Sequence, residues 1–436
     1  MRKQAAKGII LSALQQDPDL SRLRTLSNLT DSENKTLLAW LDRSGLALIF
    51  LRQVQTHEVT QALSSDFREA LELRLNKNRL RFRDMLGEFH RINEALNSHD
   101  IRACTLKGFS LVPDFCEDPS LRHQTDFDFL VAPEQVEAVA RILRTFGYST
   151  AHLSKSEESC FTTPLLHIPT QRDDIYAIQQ QRQLDLHTCI VENSPWLAFE
   201  VPNNCLANSE SMMLQGVPFW GLSLEDRFLL QVLHVYRHCS RSWIRLSWLF
   251  EIGRFLAVHC DNQELWSRII VRAGQSSSTK RIFAFVLGLT QRLFRCAVPG
   301  SLNAWSSAAV TRSLLAWLDH FSVQWATCDW PGSLTNILLA QDFVLDRKLR
   351  KQYLRSRLLP RKTQQFLGTP EREDSRISLR FRTEQIRYAV GRGAAHVRDI
   401  LGLPLQQFRW KRALDLAPAV ESESHLELPL GHGGVS

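Results

Sequence analysis

Apolar residues recur at helical spacing over the first hundred positions. Residues 5–62 carry short runs such as Leu37, Leu38 and Leu41, then Leu46, Leu48, Ile49 and Leu51, with Ser44-Gly45 as a break between them. Leu71, Leu75, Phe82, Met85, Phe89, Ile92 and Leu96 then fall at threes, fours and sevens with Arg and Glu between them, which predicts one long amphipathic helix ending near residues 97–100. Beyond it the pattern changes. Residues 101–106 form a short extended run, Lys107-Gly108 turns, and a helical stretch leads to about Phe115. Residues 125–131 alternate with period two, predicting a strand with Asp126 and Asp128 on one face and Phe127 and Phe129 on the other. Pro133 opens a helix through Phe146, with Gly147 as its stop. Apolar runs at 160–168 and 175–178 precede a further strand at 183–191, which puts Asp185 and His187 on one face. From Leu222 helical spacing returns and persists to about Leu403.

This order predicts an α+β protein with a small α/β core between two helical parts. The expected divisions are a helical region at 1–100, the core at 101–221, a helical domain at 222–340, a basic helical extension at 341–412 and a frayed acidic tail at 413–436. No internal repeat is found. The 436 residues, 44% hydrophobic and 23% charged, match a globular average and exclude collagen-like, coiled-coil and wholly disordered chains.

No apolar run approaches the roughly 18 residues that a membrane-crossing helix needs. The start holds basic residues and a short apolar patch, but Gln15, Gln16 and Asp17 follow where a secretory leader places small residues. The nine cysteines are scattered and form no C-x-x-C pair, which reads as reduced thiols without a structural zinc site. A cytoplasmic protein is expected, peripheral at most to the inner membrane surface.

The net charge of +7 is local. Residues 1–340 balance 35 bases against 35 acids, residues 341–412 hold 18 against 7, and residues 413–436 hold four acids and no Lys or Arg. The basic stretch could face phosphates, an anionic polymer or a membrane surface. Its plainer alternative is a pair of solvated helices whose apolar positions, such as Leu349, Tyr353, Phe366, Ile386 and Leu403, pack on the body.

Two aspartates alternating with phenylalanines on a strand carry the first chemical signal. Side chains at i and i+2 stand about 7 Å apart along a strand, so both carboxylates can bind one divalent cation or bracket a pair. Oxygen donors alone select magnesium or manganese. Asp185 on a neighbouring strand would supply a third carboxylate, which can orient or deprotonate an attacking hydroxyl. The turn Leu106-Lys107-Gly108-Phe109-Ser110 offers backbone N–H groups, a hydroxyl and an ammonium to a phosphate. Lys107 and Arg122 are the bases nearest such phosphates, one a point charge and the other a fork. His187 could contact substrate, orient a carboxylate, or be a satisfied structural histidine. His238 and Arg245 are expected to line a cleft between the helical part and the core. His234 and His238 lie four apart on a helix, but without the H-E-x-x-H glutamate they do not read as a zinc clamp. A Gly-x-Ser-x-Gly elbow is absent and no cysteine sits in a nucleophile motif.

Gly108 in its turn, Asp126-Phe127-Asp128 on the next strand and Asp185 on a later one resemble the nucleotidyltransferase superfamily that includes polymerase β. More closely, the order Leu106-Lys107-Gly108, Arg122, Asp126 to Val131, His167, Asp185-Leu186-His187 and the segment 238–249 resembles an uncharacterised bacterial nucleotidyltransferase family often associated with polysaccharide gene clusters. The likeness covers about residues 30 to 255. It implies an NTP substrate, Mg2+ or Mn2+ held by Asp126, Asp128 and Asp185, and a triphosphate contact at Gly108 and Ser110. The chain departs from the superfamily in two places. Phe109 stands where a second small residue usually follows the glycine, and eighteen residues separate Gly108 from Asp126, more than the superfamily norm.

The expected activity is metal-dependent transfer of a nucleoside monophosphate from an NTP to a hydroxyl acceptor, with a place in polysaccharide biosynthesis. Two rivals compete with it. One is a nucleotide-binding protein that has lost turnover, and the other is a membrane or polyanion assembly factor that works through residues 341–412.

Overall fold

The computed structural model describes residues 2–155, 158–164, 174–178, 181–194, 197–200, 203–241, 244–274, 276–328, 334–344, 346–360 and 375–416. The chain begins with helices α1 (Arg2–Ala13), α2 (Asp31–Ser44), α3 (Ala47–Thr56) and α4 (Ser65–Asn97). At the start of α2 the Thr30 hydroxyl accepts from the Glu33 N–H, and the Glu33 carboxylate accepts from the Thr30 N–H, which satisfies two of the donors a helix N-terminus leaves open. Gly45, at φ +72°, closes the same helix in the left-handed region.

Strands β1 (Cys104–Thr105), β2 (Asp126–Leu130), β3 (Ser159–Thr162), β4 (Gln183–His187), β5 (Val191–Ser194), β6 (Leu197–Glu200), β7 (Glu210–Leu214) and β8 (Val217–Gly221) follow, with helix α5 (Val136–Thr145) between β2 and β3. Six of them form one mixed sheet in the order β3-β4-β2-β1-β8-β7, and β5 and β6 pair apart from it. Strands β2 and β4 are parallel, as are β1 and β8; the other neighbours are antiparallel. The remaining helices are α6 (Leu224–Arg241), α7 (Leu246–Val258), α8 (Gln263–Ala273), α9 (Ser277–Phe294), α10 (Gly300–Ser307), α11 (Arg312–Ala326), α12 (Ala340–Phe343), α13 (Arg347–Leu358) and α14 (Ser375–Leu416). The architecture is α+β, mostly helical, with the sheet inserted between helical parts.

Two large apolar cores meet along α4. Its first half gives Phe67, Leu71 and Leu75 to a helical core shared with α1–α3, α6–α9 and α11. Its second half, from Phe82 to Leu96, lies with α5 on one face of the sheet, against Phe127, Phe129, Leu184, Leu186 and Phe219. Phe89 is the hub, with ring centroids 5.9 Å from Phe129, 5.2 Å from Phe219 and 4.8 Å from Phe109. A helix rooted in both cores fixes the sheet against the helical body, and thereby fixes the gap that faces the other side of the sheet.

Several expectations need correction. The helical stretch expected up to Phe115 is a single 3-10 turn at Gly108–Leu111, too short for a helix dipole of consequence. The strand expected over 183–191 stops at His187 and restarts as β5, because β4 runs out of partners where β2 ends. The apolar residues Ile175 and Ile178 lie in a turn and stay exposed. In the basic stretch Tyr353 and Leu403 are buried as expected, whereas Ile386 is 62% exposed because α14 turns that side outward. Phe366, His167 and residues 417–436 lie outside the described residues; positions 413–416 complete α14. All nine cysteines are free thiols. Among the described residues no helix is long and apolar enough to cross a membrane.

Candidate active site

Strand register brings the acids together. Parallel pairing of β2 with β4 sets Asp128 directly opposite Asp185 and Asp126 opposite Gln183. Residues in register on adjacent strands share a face, and so do residues two apart on one strand. Asp126, Asp128 and Asp185 therefore rise from the same side of the sheet, while Phe127, Phe129, Leu184 and Leu186 fill the core on the other. Asp128 and Asp185 are each only 8% exposed.

The turn after β1 completes the group. The Leu106 N–H donates to the Asp128 carbonyl at 3.0 Å, carrying the chain alongside β2, and the Lys107 ammonium returns to donate to Asp128 Oδ1 at 2.8 Å. Gly108 then takes φ +64°, and a Cβ there would run into the Gln124 amide, which itself donates to the Asp126 carbonyl. Phe109 turns away from the acids into the core beneath the sheet, 2% exposed among Phe82, Phe89 and Phe127. The bulky residue after the glycine thus lies off the cleft wall. Ser110 is fully buried, its hydroxyl directed at the Lys107 carbonyl at 3.4 Å, and it too lies off that wall.

Above the acidic face, α6 and α7 roof a cleft of about 170 Å³. Lys107, Gly108, Arg122, Asp126, Asp128, His238 and Arg245 all lie on its wall. Asp185 stands beside Asp128 and off the wall. Arg122 reaches the cleft but donates to Glu251 of α7 at 2.5 and 3.3 Å, so its charge is already matched by a buried carboxylate. Arg245 donates to the His123 carbonyl at 2.6 Å. His187 comes within 3.3 Å of Asp128 Oδ1 through Nε2 and within 3.8 Å of Glu158 through Nδ1. It joins the carboxylates, as the shared strand face anticipated.

The electrostatics divide the three acids. Burial pushes Asp128 up, but the Lys107 ammonium and the His187 contact more than reverse this, leaving it well below the usual carboxylate range. Burial and then the neighbouring Asp128 charge raise Asp126, against the pull of Lys107 and Arg245. Asp185 rises to about 6, through burial first and then repulsion from Asp128, Glu158 and Asp126. The face therefore carries more negative charge than its own bases neutralise. Hard oxygen donors in that condition suit a divalent cation such as Mg2+. Among the described residues, no three His, Cys, Asp or Glu side chains converge closely enough to hold a metal ion as they stand, with Lys107 on Asp128.

Other wall residues escaped the sequence pattern as site members. Gln231 donates to Glu251 at 3.0 Å, and His234 packs against His238 and Trp248 with ring centroids 4.5 Å away in each case. His123 lies on the wall beside Gln124. Burial holds His234 and His123 well below the ordinary histidine range, so both are neutral. Gln231 and Glu251 left one trace in the sequence: each is a lone polar residue inside an otherwise apolar helical turn.

A family model described as an uncharacterised nucleotidyltransferase matches residues 30–295. The chain belongs to that family. The match takes in the sheet, both roof helices and α9, about forty residues beyond the span over which the resemblance was seen. No curated protein and no solved structure matches the chain.

Proposed function

We propose that the cleft transfers a nucleoside monophosphate from an NTP to a hydroxyl acceptor. The observation that carries this is the register pair Asp128–Asp185, with Asp126 two residues away on the same face, beside a roofed cleft. Buried like charges work against the fold, and function is the simplest reason for a chain to retain them.

In the proposed reaction an acceptor oxygen attacks the α-phosphorus. A new P–O bond forms, the bond to the bridging α–β oxygen breaks, and pyrophosphate leaves. Asp185, raised to about 6, would take the acceptor proton from its place beside Asp128. The Gly108 turn brings backbone close to the triphosphate without a side chain in the way. Lys107 supplies a cation at the phosphates when it leaves Asp128, and Arg245 supplies a second at the opposite wall. Trp248, His234 and His238 form a ring-lined wall on which a base or sugar can stack. Asp126, Asp128 and Asp185 are the residues that would hold Mg2+ or Mn2+. A bound divalent cation there would neutralise charge on the α-phosphate and the attacking oxygen.

The test is incorporation of label from α-labelled NTPs into acceptor candidates, with Mg2+ or Mn2+ present. Wild type should form product and release pyrophosphate, and Asp126→Ala should lose on the order of 10²–10³-fold or more in rate. Equal product from the two proteins would end the proposal. Calorimetry that shows nucleotide binding without any turnover would instead favour a binding protein of the same fold.

A further inference from the structure

Helix α14 presents its most apolar side outward. Leu379, Ile386, Val390, Val397, Leu401 and Phe408 follow one another at spacings of seven, four, seven, four and seven. Their exposure runs from 56% at Val397 to 76% at Leu401. At about 100° per residue these six fall within an arc of about 60°, forming a stripe about 43 Å long. The helix is already docked through its other side: Leu403 and Ala413 are buried, Ile400 packs with Leu334 and Ile337, and His396 meets the Leu358 carbonyl at 3.0 Å. The outward stripe is thus not needed to hold α14 on the body.

Charge brackets the stripe. Exposed Arg382 and Lys411 lie on one shoulder, and exposed Arg398 and Arg409 lie on the other. Across its whole length α14 holds nine Arg and Lys against three acids. A left-handed pair of helices requires a seven-residue repeat. The eleven-residue repeat seen here keeps a stripe nearly parallel to the helix axis, as contact with a flat surface demands. Aliphatic side chains dominate it, so it offers no stacking platform for bases. An apolar stripe between basic shoulders, on a helix that cannot span, fits the boundary between headgroups and acyl chains of an anionic bilayer.

We propose that the outward face of α14 is a membrane-surface anchor that seats the protein on anionic lipid. The proposal rests on neither the carboxylates nor the family, and it stands or falls apart from the transfer reaction. Its test is flotation of the full-length protein with vesicles of phosphatidylcholine alone, or with about a third phosphatidylglycerol. Wild type should float with the anionic vesicles and far less with the neutral ones, and high salt should weaken the association. Val390→Asp/Leu401→Asp should reduce partitioning at least tenfold while melting as wild type does, and Arg398→Glu/Arg409→Glu should lose the preference for anionic lipid. Should the aspartate pair melt early, Val390→Ser/Leu401→Ser replaces it, with the same loss expected. Wild type that stays with the unbound fraction, or stripe variants that float as well as wild type, would overturn the proposal. So would a lipid-free dimer that the stripe variants convert to monomer while wild type fails to float, which would assign the face to a second copy. Polyanion binding indifferent to the stripe, again without flotation, would overturn it too.

Discussion

Phe127 and Phe129 meet α4 and α5 beneath the sheet, while Asp126 and Asp128, their immediate neighbours, face α6 and α7 across the cleft. The apolar side is filled: Phe89 alone touches Phe109, Phe127, Phe129 and Phe219. The acidic side is strained electrostatically, because two of its three carboxyls are pushed upward by burial and by one another. One face of a five-residue strand thus contributes stability, and the other carries a charge excess that an apolar replacement would relieve. The contrast separates what makes the protein fold from what the proposed reaction would use, and substitutions can test each side separately.

The largest expected effect is on the apolar side. Phe129→Ala leaves a cavity among rings that cannot collapse, and should lower unfolding free energy by about 4 kcal/mol in a denaturant titration. Next is the roof. Glu251→Ala leaves Arg122 buried without its partner, and should lower stability by about 3 kcal/mol. Loss of this size would show that the roof is held to the sheet by that pair; a change near zero would show that it is not.

The acidic side should respond in the opposite sense. Asp185 is raised from 3.8 to about 6 in the fold, so the native state holds its proton more tightly than the unfolded chain does. Its contribution is full below about 4, is lost as pH rises towards about 6, and is constant above. In chelator, Asp185→Asn should therefore match wild type near pH 4 and exceed it above pH 6, by on the order of 2 kcal/mol. Melting curves at several pH values would check this, and a variant less stable at pH 7 would contradict it. The smallest effect concerns the turn. Gly108→Ala meets Gln124 and holds an unfavourable positive φ, for about 1 kcal/mol of stability. Its loss of nucleotide affinity should be larger than that figure alone would give.

The elements around the site were legible where a local period reports burial. Alternation at 125–131 revealed both faces of β2, and threes and fours from Leu71 to Leu96 revealed α4. Pairing was not legible, because no local pattern states which distant segment answers. Arg122 finds Glu251 129 positions away, and β1 finds β8 across more than a hundred residues. The same limit hid the engagement of Lys107 with Asp128 and the burial of Ser110. Phe109 is instructive in another way: it departs from the superfamily pattern directly after the glycine, yet its ring belongs to the core beneath. The stripe on α14 was hidden because its spacing looks like that of any packed helix, and only exposure distinguishes the two.

The most direct test of the acidic face is one paired measurement on Asp126→Asn: turnover of α-labelled NTP and the midpoint of thermal unfolding, from the same preparation as wild type. The account predicts that turnover falls by on the order of 10²-fold or more while the midpoint holds or rises, since Asp126 is held in the fold against burial and a like charge. Full turnover in the variant, or turnover lost together with a collapse of the midpoint, would contradict it.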